Sequence, residues 1–206
     1  MNESNKLASR ARLAIIGATA MMVATAALLI LEAGEGLGLL AYDQSTELAF
    51  TAIGLGYTVA FLVSVVLVAM WIHRAHANLH AAGWDALEFT PGWAVGWYFV
   101  PLANLIKPYQ AMRELWNTSM REDDYFVSDA PMILKLWWGT WIAGNILSNI
   151  ATRMQGYGTD MSIQYGGMLG AVSSLLLIVC AWNLVGIIRS ITRAQSEGLV
   201  AAQVFA

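Results

Sequence analysis

Apolar residues fall along this chain in long uninterrupted runs, separated by short charged clusters. The first run is Leu13 to Leu31, with Lys6, Arg10 and Arg12 before it and Glu32 and Glu35 after it. The second is about Leu48 to Ile72, the third about Met132 to Ile150 and the fourth about Gly166 to Ile188. Each approaches or exceeds the ~20 residues that an α-helix needs to cross ~30 Å of hydrocarbon. The pattern predicts an all-α membrane protein, a bundle of four transmembrane helices. The first run exceeds the roughly 7–15 apolar residues of a signal peptide and ends in acids, not in a small-residue cleavage site. It reads as an uncleaved span.

Gly92 to Ile106 is a shorter apolar stretch with Pro101 in its middle. Basic residues decide how to read it. With four spans and the N-terminus inside, the inner side carries Lys6, Arg10, Arg12, Arg74, Lys107, Arg113, Arg121, Lys135, Arg189 and Arg193, and the outer side only Arg153. If Gly92–Ile106 also crossed, the basic residues would divide almost evenly. Lys and Arg concentrate on the cytoplasmic side of membrane proteins. The expectation is that 92–106 dips into the membrane and returns, or lies in the interface. Both termini are then cytoplasmic, in a bacterial inner membrane, with 33–47 and 153–164 outside. Non-helical backbone at membrane depth must be covered by protein or face a wet cavity.

Composition supports a single integral domain over 1–206. Only 12% of the residues are charged, about half the share of a soluble globular chain. A net charge of -3 gives no case for nucleic acid. The single cysteine, Cys180, excludes an intrachain disulfide. The inner segment also holds an acidic patch, Glu122, Asp123, Asp124 and Asp129, ahead of Pro131, which suits the first turn of the third span.

The chemistry of the chain concentrates between the second and third runs. Arg74 and Asn78 stand four apart. Pro91-Gly92-Trp93, then Pro101 and Asn104, then Pro108, Met112 and Trp116 follow. In this combination, over about 46 residues, the chain resembles the bacterial membrane-protein family known as domain of unknown function 4328. The resemblance implies a multi-span membrane protein and no established activity. The histidines are outside its pattern, so nothing functional carries over to them.

Read from the residues alone, the second span continues as a helix to about Ala82 and stops at Gly83. Pro101 breaks any helix in 92–106 and frees backbone carbonyls. Arg74, Asn78 and Asn104 are candidate donors to those carbonyls. Together with Pro101 they form a polar cluster that either stitches the segment to the bundle or lines a cavity for a ligand or lipid headgroup. Pro108 starts an amphipathic helix over 108–120, with Tyr109, Met112 and Trp116 in one stripe, suited to the interface plane. Arg74, at the membrane edge, is expected to matter more for folding than Arg121 in its acidic run.

His73, His76 and His80 lie on one helix at i, i+3 and i+7, within about 60° of arc. Imidazole is a common metal ligand, and Asp85 and Glu88 would add oxygen ligands if the loop folds back. Against this, the first and last histidines stand about 10.5 Å apart along the axis, no His-Glu-x-x-His pattern is present, and an interfacial polar face explains the same spacing. No metal and no other cofactor is expected.

The third run holds Asn145 and Asn149 on one face, and the fourth holds Ser173, Ser174 and Asn183. Polar side chains facing lipid are costly, so these are expected inside the bundle. Gly166-x-x-x-Gly170 permits close helix approach, a weak hint of dimerisation. Trp137, Trp138 and Trp141 read as an aromatic belt. No catalytic constellation emerges. The leading expectation is a non-catalytic membrane module that binds lipid, a protein partner or another copy of itself. A small transporter or channel with a polar cavity is the second, and a metal or haem protein using the three histidines the third.

Overall fold

The computed structural model describes residues 3–40, 43–84, 87–120 and 130–204. The expectations for Asp85, Arg121, Glu122, Asp123, Asp124 and Asp129 fall outside them. The described residues form helices α1 (Glu3–Gly36), α2 (Gln44–Ala81), α3 (Pro91–Gly96), α4 (Lys107–Met120), α5 (Met132–Gln155) and α6 (Asp160–Val204). Two single 3-10 turns, Trp97–Phe99 and Ala103–Leu105, connect α3 to α4, and no strand is present among the described residues.

Three helices are long and apolar enough to cross a membrane, within Asn5–Gly36, Gln44–Ala81 and Asp160–Glu197. Their length exceeds what a bilayer needs. At ~1.5 Å per residue, the 38 residues of α2 extend about 57 Å. The excess appears as run-on beyond the apolar core. The chain stops α2 where the sequence predicts. Gly83 has φ +82°, its N–H bonds to the His80 carbonyl at 3.1 Å, and the Trp84 N–H reaches the Leu79 carbonyl at 3.4 Å. A glycine just past the helix permits this left-handed reversal without a Cβ clash. α5 is outside the apolar set. Its 24 residues include Lys135, three tryptophans, Asn145 and Asn149.

The chain divides into two compact units. The first comprises 1–17, 64–135 and 183–206, and the second 18–63 and 136–182. The core of the first is built by Leu7, Trp71, Ala75, Met112, Leu115, Leu134, Ile187, Ile188 and Ile191, all nearly or fully buried. α4 supplies Met112 and Leu115 to this core. Of its apolar stripe, Met112 is therefore covered by protein, while Tyr109 and Trp116 are half-buried. Pro108 is buried as well.

The second unit is held by backbone approach. A Cβ on Gly167 of α6 would meet the Gly36 nitrogen at 2.8 Å and the Glu32 carbonyl oxygen at 2.9 Å. Glycine is required there because α1 backbone occupies the space. Gly170 lies against the Glu32 side chain, and Gly166 against Gln155 and the Ala151 carbonyl. The Gly166–Gly170 stripe is thus filled by α1 and α5 of the same chain, not left open for a second one. Trp137 and Trp138 are buried, and Trp138 stacks on Trp141 at 4.6 Å. The first two are packing residues of this unit, which corrects their reading as a lipid-facing belt.

Candidate functional site

The three histidines occupy three different environments. His76 is fully buried, and its Nδ1 lies 3.0 Å from the Ile72 carbonyl. Its Nε2 is enclosed, with no hydrogen-bond partner among the described residues. His73 is exposed. The exposed His80 has Nε2 3.1 Å from the Phe89 carbonyl. No group of three or more His, Cys, Asp or Glu is arranged to hold a metal ion among the described residues. The shared arc of the helix does not bring the rings together, because one ring belongs to the core and another is engaged by a backbone carbonyl.

The cluster predicted from Arg74, Asn78, Pro101 and Asn104 is divided. Asn78 is buried and its Nδ2 donates to Gln195 Oε1 at 3.2 Å. The carbonyls that Pro101 was expected to free are satisfied by the segment's own amides. The Pro101 carbonyl accepts from Ala103, Val100 from Asn104, Leu102 from Leu105 and Ala103 from Ile106. Nested turns thus satisfy these four carbonyls, and Asn78 is engaged by Gln195 instead. Arg74 is half-buried, with Nε and Nη2 enclosed, and Asn104 is half-exposed.

Gln195 is the residue that sequence reasoning missed. It is buried in the first unit, accepts from Asn78, and donates through Nε2 to the Ala75 carbonyl at 3.2 Å and Ser119 Oγ at 2.9 Å. One side chain thereby ties α6 to both α2 and α4. A second tie is Trp71 Nε1 donating to Thr192 Oγ1 at 3.0 Å. The signal was present in Ile188, Ile191, Thr192 and Gln195, spaced i, i+3, i+4, i+7, which marks one helix face beyond the predicted end of the last span.

A second clasp closes the loop before α3. Glu114 on α4 accepts from the backbone N–H of Glu88 at 2.6 Å and of Phe89 at 3.2 Å. Burial holds the Glu114 carboxyl above its ordinary range, against the lowering pull of those two N–H groups. Lys107 pairs with Glu88 at 3.0 Å and lies 5.4 Å from the Phe89 ring centre. Glu88 thus serves as the partner of Lys107, not as a metal ligand. These groups are structural: each is consumed by a bond that fixes the chain's path.

The second unit carries polar groups of two kinds. Glu32 accepts from Ser174 Oγ at 2.6 Å, and Glu35, 6% exposed, accepts from Gln155 Nε2 at 2.7 Å. α1 runs on through both acids, which the sequence reading placed at the start of an outer loop. Their i, i+3 spacing was the available signal. The second kind is open. Asn145 and Asn149 are both exposed, which corrects the interior place expected for them. Each amide donates to the carbonyl four residues back, at 2.7 Å and 2.8 Å, so one proton of each is satisfied without a neighbouring helix. Asn145, Ile146, Asn149, Ile150 and Arg153 line an open groove of about 370 Å³. Asn183 is half-buried.

The model of the family described as Domain of unknown function (DUF4328) matches residues 40–193. No curated protein and no solved structure matches the chain.

Proposed function

The chain belongs to the family described as Domain of unknown function (DUF4328), and we propose that it is a non-catalytic, multi-pass module of a bacterial cytoplasmic membrane that works by binding, foremost a second copy of itself. In this reading α5 is a fourth span beside α1, α2 and α6. Its 24 residues extend about 36 Å, enough for ~30 Å of hydrocarbon. Both termini are cytoplasmic. Ten of the eleven Lys and Arg residues lie in the first unit's residue ranges, and only Arg153 in the second's, which supports this orientation. Pro91–Ile106 does not cross.

The observation that carries the reading is the open stripe Asn145–Asn149–Arg153 on α5. A polar side chain in lipid needs partners, and intramembrane polar residues mark interaction faces. Each amide keeps an N–H and an acceptor oxygen beyond its local bond. A stripe that both donates and accepts is complementary to itself, as a two-fold contact requires. The test is disulfide trapping of Asn149→Cys in a Cys180→Ser background, in native membranes, with subunit counting in nanodiscs. Trapped dimers that persist on dilution with lipid are expected. A chain that is monomeric at every lipid-to-protein ratio overturns the reading.

Glu32 and Glu35 favour a second reading, a small transporter. Two carboxylates held near the end of an apolar helix by Ser174 and Gln155 are a natural station for a proton or cation. Proton flux into liposomes, compared with Glu32→Gln and Glu35→Gln, is the measurement. Flux equal to that of empty vesicles removes it.

A further inference from the structure

Pro91–Ile106 turns its apolar side chains outward. Trp93, Phe99, Leu102, Leu105 and Ile106 are all exposed, Leu102 most of all at 81%. Leu102 is the only non-glycine residue with positive φ among the described residues, at φ 64° and ψ -44°. The Ala103 N–H closes onto the Pro101 carbonyl at 2.8 Å around it, the strained hand of a γ-turn. Such a conformation persists only when its surroundings over-determine it, and it collects at sites that use it. Here it holds a leucine out at the tip of a turn. Glycine would occupy the same φ freely.

Much of the backbone of this tip is closed on itself. The carbonyls of Trp97, Val100, Pro101, Leu102 and Ala103 all accept from amides within the segment, and that of Ile106 accepts from Gln110. Thr90 caps the start of α3 by accepting from the Trp93 N–H. A loop in water has no need of this economy, because water satisfies its carbonyls. A loop in a medium without hydrogen-bond partners does. Trp93 and Trp97 pack with centroids 4.9 Å apart, and tryptophan favours the lipid–water boundary.

We propose that Pro91–Ile106 is a membrane wedge that seats in the phospholipid interface and places Leu102 among the acyl chains. The wedge rests on the chain being embedded with its first unit on the cytoplasmic side, as proposed above. Its ligand is the phospholipid bilayer, and the strained turn is what fixes the depth of the leucine.

The test uses the full chain with Cys180→Ser, an environment-sensitive fluorophore on Leu102→Cys, and vesicles of phosphatidylethanolamine and phosphatidylglycerol. Lipids brominated on their acyl chains are expected to quench this label several-fold more than the same label on Ala82→Cys, an exposed position in the same unit. Iodide in the buffer is expected to quench only the second. Iodide quenching of both labels alike overturns the wedge. So does a label at 102 shielded from both quenchers, which means that protein covers the tip. Leu102→Gly keeps the turn, and a label at Phe99→Cys in that background is expected to lose at least half of its quenching by brominated lipid. Unchanged quenching there removes Leu102 as the inserting tip. The two readings fail separately: lipid quenching at 102 in a monomeric chain sinks only self-association, and iodide quenching at 102 in a trapped dimer sinks only the wedge.

Discussion

Replacing Gln195 by leucine tests what holds the first unit together. The change keeps most of the volume and deletes three hydrogen bonds, from Asn78 and to Ala75 and Ser119, of 2.9 to 3.2 Å. The Ala75 carbonyl retains its place in the α2 ladder. The Asn78 amide and the Ser119 hydroxyl, both buried, lose a partner. A buried polar group left without its bond costs about 1–3 kcal/mol. Two such groups, partly relieved by side-chain adjustment, set the expected loss at about 2–4 kcal/mol. Glu197→Ala, two residues further on, is the control. It breaks an exposed i,i+4 pair with Arg193 at 2.8 Å, a contact worth ~0–1 kcal/mol. Unfolding in mixed micelles of increasing denaturing detergent, followed by circular dichroism, gives both numbers. The double change Asn78→Leu with Gln195→Leu removes both partners and is expected to recover ~1–2 kcal/mol relative to the sum of the singles. A Gln195→Leu protein within ~0.5 kcal/mol of the parent, or a double change that is simply additive within ~0.5 kcal/mol, refutes the proposed role of the network.

Other outcomes follow from single features. Gly167→Ala is expected to destabilise by about 1–3 kcal/mol, because its Cβ would press on α1 backbone at 2.8 Å. Gly54→Ala, with open space around it, is expected to be neutral or stabilising by up to ~1 kcal/mol; the reverse order in a thermal melt would contradict the packing described. For topology, thiol labels at Ala82→Cys and Met132→Cys should react from the same side of the membrane and at Tyr157→Cys from the other. Opposite-side labelling of Ala82 and Met132 would overturn the reading that 92–106 does not cross. Protein purified without a histidine tag is expected to show no stoichiometric transition metal and no Soret band. One equivalent of zinc, copper or iron that disappears on His76→Ala would restore the metal reading.

Hydrophobic length made the long helices legible, because a run of that size has few alternatives. The stop of α2 was legible for a local reason, since Gly83 sits where a helix needs a left-handed residue. What the pattern did not carry was partnership. Gln195 escaped notice because a lone glutamine past an apolar run looks solvated, and only α2 and α4 folding onto it make it a hub. Glu32 and Glu35 looked like the end of a span, since charge ordinarily marks the membrane edge. α1 instead continues to Gly36, and α6 presents glycines that admit both carboxylates. Asn145 was expected inside because amides avoid lipid. Bonding to the carbonyl one turn back lowers that cost enough for the residue to remain on the surface. The three histidines part company for a geometric reason. A 60° arc is wide enough for one ring to enter the core while another reaches a loop carbonyl.

The useful distinction among the polar residues is therefore between those whose hydrogen bonds close within the chain and those whose bonds do not. Gln195, Asn78, Glu114 and Glu88 are consumed by tertiary partners, so substituting them should cost folding before it costs function. Asn145, Asn149 and Arg153 retain bonding capacity on an exposed face beside a groove. Leu102 is their apolar counterpart, a side chain held outward at the expense of backbone strain. Both features cost the isolated chain something, and on the proposed readings a setting outside it recovers what remains of that cost. For the asparagines that setting would supply donors and acceptors, as a second copy of the stripe is proposed to do. For the leucine it must supply hydrocarbon. Substitutions at these two faces should accordingly leave the unfolding midpoint in detergent unchanged or raised, and change only association and lipid contact.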